Sequence, residues 1–83
     1  MTVIASILEL SLGGSLKTHI MYRVNLSFLT LRRLLEILLQ NELIKENMDQ
    51  ESLKVIYYTT EKGRDWLEKF RLLQHLAGIG KSR

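Results

Sequence analysis

The sequence contains no cysteine and no proline, and only five glycines, one Trp, three Tyr and two Phe in 83 residues. Without cysteine there is neither a disulfide framework nor a thiolate metal site. Without proline, changes of chain direction fall to glycine and to short polar segments. Long apolar runs are also missing. The longest uninterrupted one is Val55-Ile56-Tyr57-Tyr58, far short of the roughly 20 residues that span a bilayer. The N-terminal stretch lacks a basic segment and is interrupted by Glu9, so no signal peptide is read there. The expectation is an intracellular, cytoplasmic protein with no membrane partner.

What is present is ordinary globular material, 46% hydrophobic and 25% charged. A chain of this length buries only about 60–65% of its unfolded surface, enough for one modest core. Residues 1–83 are therefore expected to form a single domain. The net charge is +3, unevenly spread. Residues 1–41 carry four bases against two acids, residues 42–61 two against five, and residues 62–83 six against two. Residues 10–35 hold Lys17, Arg23, Arg32 and Arg33 and no acid. Such a basic stretch is compatible with a nucleic-acid surface and equally with a solvated face.

Apolar spacing at Val3, Ile4, Ile7 and Leu8 predicts a helix over 2–11, ended by Gly13-Gly14. Ser15 is an N-cap candidate for a short helix at 16–22, and Arg23-Val24 reads as a tight connection. Asn25 is a second N-cap candidate, opening a Leu-rich helix at 26–40. Two helices joined by about three residues have helix-turn-helix spacing. On the third helix only the stripe of Arg32, Arg33, Glu36 and Gln40, with Leu29 among them, escapes the apolar surface. From 43 the composition turns to β-formers: Leu43-Ile44-Lys45 and Leu53 to Tyr58, separated by a polar turn, predict a hairpin. Thr60 can cap a last helix at 61–77, with Gly78 and Gly80 marking its end. The fold class is α+β and mainly helical: three helices, a two-stranded β-hairpin wing and a C-terminal helix.

The segment Lys17-Thr18-His19-Ile20-Met21-Tyr22, followed by Asn25-Leu26-Ser27, resembles the helix-turn-helix signature of small archaeal winged-helix proteins. These include archaeal transcriptional regulators and the ten-kilodalton chromatin-associated proteins of crenarchaea. Leu43-Ile44 matches the start of their wing, and Tyr57-Tyr58-Thr59-Thr60-Glu61-Lys62-Gly63 matches the run into their last helix. The resemblance covers about residues 3–70. It departs at Glu42, where glycine is usual, at Thr59, where leucine is usual, and at Phe28, where tyrosine is common. Chromatin-type members also continue into a longer last helix. The resemblance implies double-stranded DNA binding by a regulator or chromatin-associated factor of archaeal or archaeal-virus type. Its place would be the nucleoid, or the host cytoplasm if viral.

The residues suited to DNA follow from position. Lys17, Thr18 and His19 open helix 2, where side chains and free N–H groups can hold a phosphate; they also suit a solvated helix start. Tyr22 can reach a phosphate or lie half in the core, and Arg23 adds charge. Ser27 and Thr30 lie in the early turns of helix 3, with Leu29 exposed among them and Arg32 and Arg33 following, in the half that meets base edges. Arginine forks onto guanine, and leucine can touch a thymine methyl. Arg32, with the more polar neighbours, is the preferred DNA contact of the two arginines, and it can also pair with Glu36 as a surface ion pair. Lys45 and Lys54 flank a wing whose tip carries Asp49 and Glu51, so the wing is expected to add little or to face away.

Chemistry of other kinds finds no support. Lys17-Thr18 after Gly13-Gly14 lacks the glycine and the leading strand of a phosphate-binding loop. His19 and His75 are not at ligand spacing, and no nucleophile–base–acid set is present. Neither enzyme activity, metal nor cofactor is expected. In the last helix Trp66, Phe70, Leu73 and Ala77 form one stripe, and Leu72, Leu76 and Ile79 another. One can cover the core and the other a second copy, which predicts a homodimer involving Trp66, Phe70, Leu72, Leu73 and Leu76. A single broad buried face is the alternative.

Overall fold

Thr2 starts the first helix as its N-cap, its Oγ1 accepting the Ala5 N–H at 3.1 Å. The computed structural model describes residues 2–81, with the side chains from Ile79 onward outside the description. The order is α1 (Val3–Leu10), β1 (Ser15–Leu16), α2 (Lys17–Val24), α3 (Phe28–Gln40), β2 (Ile44–Met48), β3 (Val55–Thr59) and α4 (Glu61–Lys81).

Ser15 does not cap α2. With Leu16 it forms β1, a strand paired antiparallel with β3 (Ser15 opposite Tyr57, Leu16 opposite Ile56). The Ser15 hydroxyl donates to the Leu10 carbonyl at 2.6 Å. The hairpin thus becomes a three-stranded sheet of order β1-β3-β2. Gly14, at φ +96°, admits the chain to this edge. A Cβ there would lie 2.7 Å from the Tyr58 ring and 3.1 Å from the Ile56 methyl.

The connection between α2 and α3 also differs from expectation. Val24 still belongs to α2, and Asn25 ends that helix in the left-handed conformation, φ 55° and ψ 51°. The N–H groups of Asn25 and Leu26 both donate to the Met21 carbonyl. Asparagine tolerates this geometry better than other residues with a side chain. The cap of α3 is Ser27, whose Oγ accepts the Thr30 N–H at 3.2 Å.

The core gathers Ala5, Ile7 and Leu8 of α1, Ile20 of α2, Leu31, Leu35 and Leu38 of α3, Ile44, Tyr57 and Leu67. On α3 the buried leucines follow the i, i+4, i+7 rhythm of one helix face. Deleting any of them to alanine costs about 2–5 kcal/mol. β3 is bolted to the end of α1: the Thr59 N–H donates to the Ser11 carbonyl at 2.9 Å and its hydroxyl to the Leu8 carbonyl at 2.6 Å.

Thr60 caps α4 as expected, accepting the Gly63 N–H at 3.0 Å. It also holds the turn after α3, with its N–H on the Leu43 carbonyl and its hydroxyl on the Glu42 carbonyl. α4 runs past Ala77 to Lys81, so Gly78 does not stop it. Glycine costs a helix about 1 kcal/mol but does not break it. At about 1.5 Å per residue α4 is roughly 32 Å long. Its first half packs on α1 and β3, with Trp66 and Phe70 stacked at 5.3 Å against the core. Of the five residues expected at a dimer interface, Trp66 and Phe70 thus serve the core, whereas Leu72, Leu73 and Leu76, with Ala77, are exposed. By that point the helix has left the body, which explains a long dimension of 52 Å against 26 and 20 Å. Ile79 lies outside the described side chains.

Candidate nucleic-acid interface

The solvent face of α3 is wider than its polar stripe. Leu29, Thr30, Arg32, Arg33, Glu36, Ile37 and Gln40 are all exposed. Arg32 Nε stands 3.9 Å from Glu36 Oε2, with both side chains well solvated. Such an i, i+4 pair contributes only a few tenths of a kcal/mol. Arg33 has no carboxylate in ion-pair range among the described residues, and with Leu29 it borders two adjacent shallow grooves on the exposed face of the helix. Of the two arginines, Arg33 is the uncommitted guanidinium.

The start of α2 adds a second group. Thr18 and Tyr22, one turn apart, are exposed, Tyr22 by 86%, so its ring is not half core. His19 is also exposed. Lys17 sits with its ammonium 5.0 Å from the centroid of the half-exposed Phe28 ring. That cation–π contact ties the start of α2 to the start of α3. Phe28 was not among the sequence candidates. Arg23 is exposed but faces elsewhere, lining a groove with Val3, Ser6 and Glu9 of α1.

The hairpin divides its two lysines. Cross-strand pairs place Ile44, Glu46 and Met48 on one face with Thr59, Tyr57 and Val55, and Lys45 and Asn47 on the other with Tyr58 and Ile56. The first face turns toward α2, where Leu16, Lys17, Thr18, Glu46, Lys54 and Tyr57 line one groove. Lys54 therefore joins Lys17 and Thr18, whereas Lys45 lies on the opposite face. Glu46 accepts the Tyr57 hydroxyl at 3.3 Å. Burial of the phenol and the nearby carboxylate charge push the Tyr57 pKa above its ordinary value.

At the hairpin tip Asp49 is structural. Its Oδ2 accepts the Ser52 N–H at 2.9 Å and the Ser52 hydroxyl at 2.7 Å. These bonds hold its pKa below the usual aspartate value. Exposed Met48 and Leu53 flank it. Among the described residues no three His, Asp or Glu gather closely enough to hold a metal ion, and no helix is long and apolar enough to cross a membrane.

A helix pair with a three-residue turn, followed by a hairpin that joins the strand before the pair in a three-stranded sheet, is the arrangement captured by a family model described as winged helix-turn-helix, which matches residues 1–78. The chain belongs to the winged helix-turn-helix family. In a winged-helix description α2 and α3 are the helix-turn-helix and β2–β3 the wing. No curated protein matches the sequence significantly. Among solved structures, that of a double mutant of ZitR from Lactococcus lactis is similar with a TM-score of 0.75. The match has 21% identity and covers 100% of this chain and 62% of that one. At this identity the likeness is one of winged-helix fold alone, and the present chain spans less than two thirds of the ZitR chain.

Proposed function

We propose that the protein binds double-stranded DNA as a non-enzymatic regulator or chromatin-associated factor, with the first half of α3 in the major groove. The observation that carries this reading is the uncommitted Arg33 beside Leu29 and Thr30 on an exposed helix face. Lys17, Thr18, Tyr22 and Lys54 stand ready to grip the phosphate backbone on the α2 side. Ser27, His19 and Arg32 border this surface. Arg23 and Lys45 point to other faces and add to the general field rather than to the central contact. The resemblance of the Lys17–Ser27 segment to small archaeal winged-helix proteins supports a small regulator of that kind, which we place at the nucleoid or, for a virus, in the host cytoplasm.

The exposed leucines of distal α4 support a homodimer. Leu72, Leu73 and Leu76 are each more than half exposed on a helix that projects from the body, while Trp66 and Phe70 serve the domain's own core. Two-fold pairing would set two α3 helices on one duplex, about 34 Å apart or a multiple of it. Sedimentation of wild type and of Leu72→Glu with Leu76→Glu tests it. The double variant should be monomeric, and a variant that stays dimeric rules this interface out.

Duplex affinity measured against salt tests the DNA reading. With about four to eight phosphate contacts per dimer the log–log slope should be roughly −4 to −7. No binding at low salt, or a slope near zero, favours a protein-docking module instead. The observation on that side is the wing tip, where exposed Met48 and Leu53 stand among Asp49 and Glu51.

A further inference from the structure

A singly exposed leucine needs no explanation; the placement of Leu29 does. It is 68% exposed, against 52% for Phe28 and 42% for Ile37 on the same helix. It stands in the first turn of α3, with Arg32 and Arg33 beside it at i+3 and i+4. One shallow groove runs past Leu29, Arg32, Arg33 and Glu36, and a second past Ser27, Leu29, Thr30 and Arg33. Leu29 and Arg33 therefore form the ridge between the grooves, the first part of α3 to meet a surface laid against it.

The polar groups nearby are largely occupied. The Ser27 hydroxyl accepts the Thr30 N–H and donates to Thr30 Oγ1 at 2.9 Å. Arg32 leans toward Glu36. What the ridge offers is one apolar side chain, one free guanidinium and the Thr30 hydroxyl proton. In the major groove the 5-methyl of thymine is the apolar group on a base edge, and guanine O6 and N7 form the acceptor pair that suits arginine.

We infer that Leu29 is a specificity-determining residue that packs on a thymine 5-methyl group, next to a guanine faced by Arg33. The inference rests on the DNA reading above and adds to it the base edge that α3 selects. Burying one methyl corresponds to about three- to fourfold in affinity.

The test uses random-sequence duplexes enriched by binding to the wild-type protein, then amplified with either thymidine or deoxyuridine. The two pools have the same base pairs and differ only by the methyl groups. Wild type should bind the deoxyuridine pool about three- to fourfold more weakly for each methyl contacted. Leu29→Ala, an exposed substitution that leaves the core untouched, should bind both pools equally, and Leu29→Met should keep the difference. Ile37→Ala, eight residues further along α3, should also keep it. Equal wild-type affinity for the two pools, or a difference that survives in Leu29→Ala or vanishes in Ile37→Ala, overturns the inference. Salt-sensitive binding of both pools would then leave the DNA reading standing. Wild-type protein that binds neither pool at low salt removes that reading, and the inference with it.

Discussion

Replacing Gly63 with alanine should destabilise the protein although alanine is the better helix former. Gly63 lies in the first turn of α4, buried where that helix crosses the turn after α3. A Cβ built on it would run into the Leu43 carbonyl oxygen and lie 2.6 Å from the Thr59 methyl. The carbonyl is backbone and is already held by the Thr60 N–H at 3.0 Å, so α4 itself must move. Movement strains that bond and the 2.6 Å bond from the Thr60 hydroxyl to the Glu42 carbonyl. Overpacking costs about 1–3 kcal/mol, each weakened bond about 1 kcal/mol, and the helix propensity returns about 1 kcal/mol. The net loss is about 2–4 kcal/mol, which lowers Tm by roughly 10–30 °C in a domain of this size. Gly78, on the same helix, has no atom of the described residues within 4 Å of a would-be Cβ. Gly78→Ala should therefore raise the helical circular dichroism and leave Tm unchanged or higher, by up to about 1 kcal/mol of stability. Thermal melts of the two variants decide it. A Gly63→Ala protein that melts at or above wild type would refute the close approach of α4 to the turn at Leu43.

Further outcomes follow from single residues. Glu42 holds φ +61°, which costs a residue with a Cβ about 1–2 kcal/mol; Glu42→Gly should raise the urea midpoint by about 0.5–1 kcal/mol of stability after the entropy of glycine is deducted. The Ser11 hydroxyl is fully buried without a partner among the described residues, so Ser11→Ala should stabilise by about 1 kcal/mol, and a clear loss in the same denaturation assay would reveal a hydrogen bond there. The Asp49 carboxylate, held by Ser52, has its pKa lowered. Its contribution to the wing turn is complete above the ordinary aspartate pKa and fades as pH falls through the lower folded value. A nuclear magnetic resonance titration should find Asp49 protonating below an unstructured aspartate, with faster Ser52 amide exchange in step; titration at or above the ordinary value contradicts the turn.

The elements visible in the sequence were those with a local cause. The α1 and α3 helices carry long apolar periodicities, and Thr60 has the chemistry of a cap with no competitor nearby. β1 was invisible because two residues show no alternation, and Ser15-Leu16 becomes a strand only through the passing edge of β3. Asn25 and Ser27 can both cap a helix; the left-handed turn that α2 needs took the asparagine and left the cap to serine. Gly78 and Gly80 resemble a stop signal, but a weakened helix continues when nothing forces it to turn. At the candidate site, outward residues such as Leu29 and Arg33 follow from the wheel of α3. The shared groove of Lys17 with Lys54, the contact of Lys17 with Phe28 and the separation of Lys45 depend on strand register and on how α2 meets the wing. No local pattern encodes those.

In the proposed function the first half of α3 and the start of α2 meet duplex DNA together. Amide chemical-shift mapping of the protein titrated with a short duplex at low salt tests it most directly. The largest shifts should fall at Lys17, Thr18, Tyr22 and Ser27 to Arg33, with Lys54 following and the tip at Asp49–Ser52 nearly still. Shifts confined to the wing tip or to distal α4, or none at all, would contradict it.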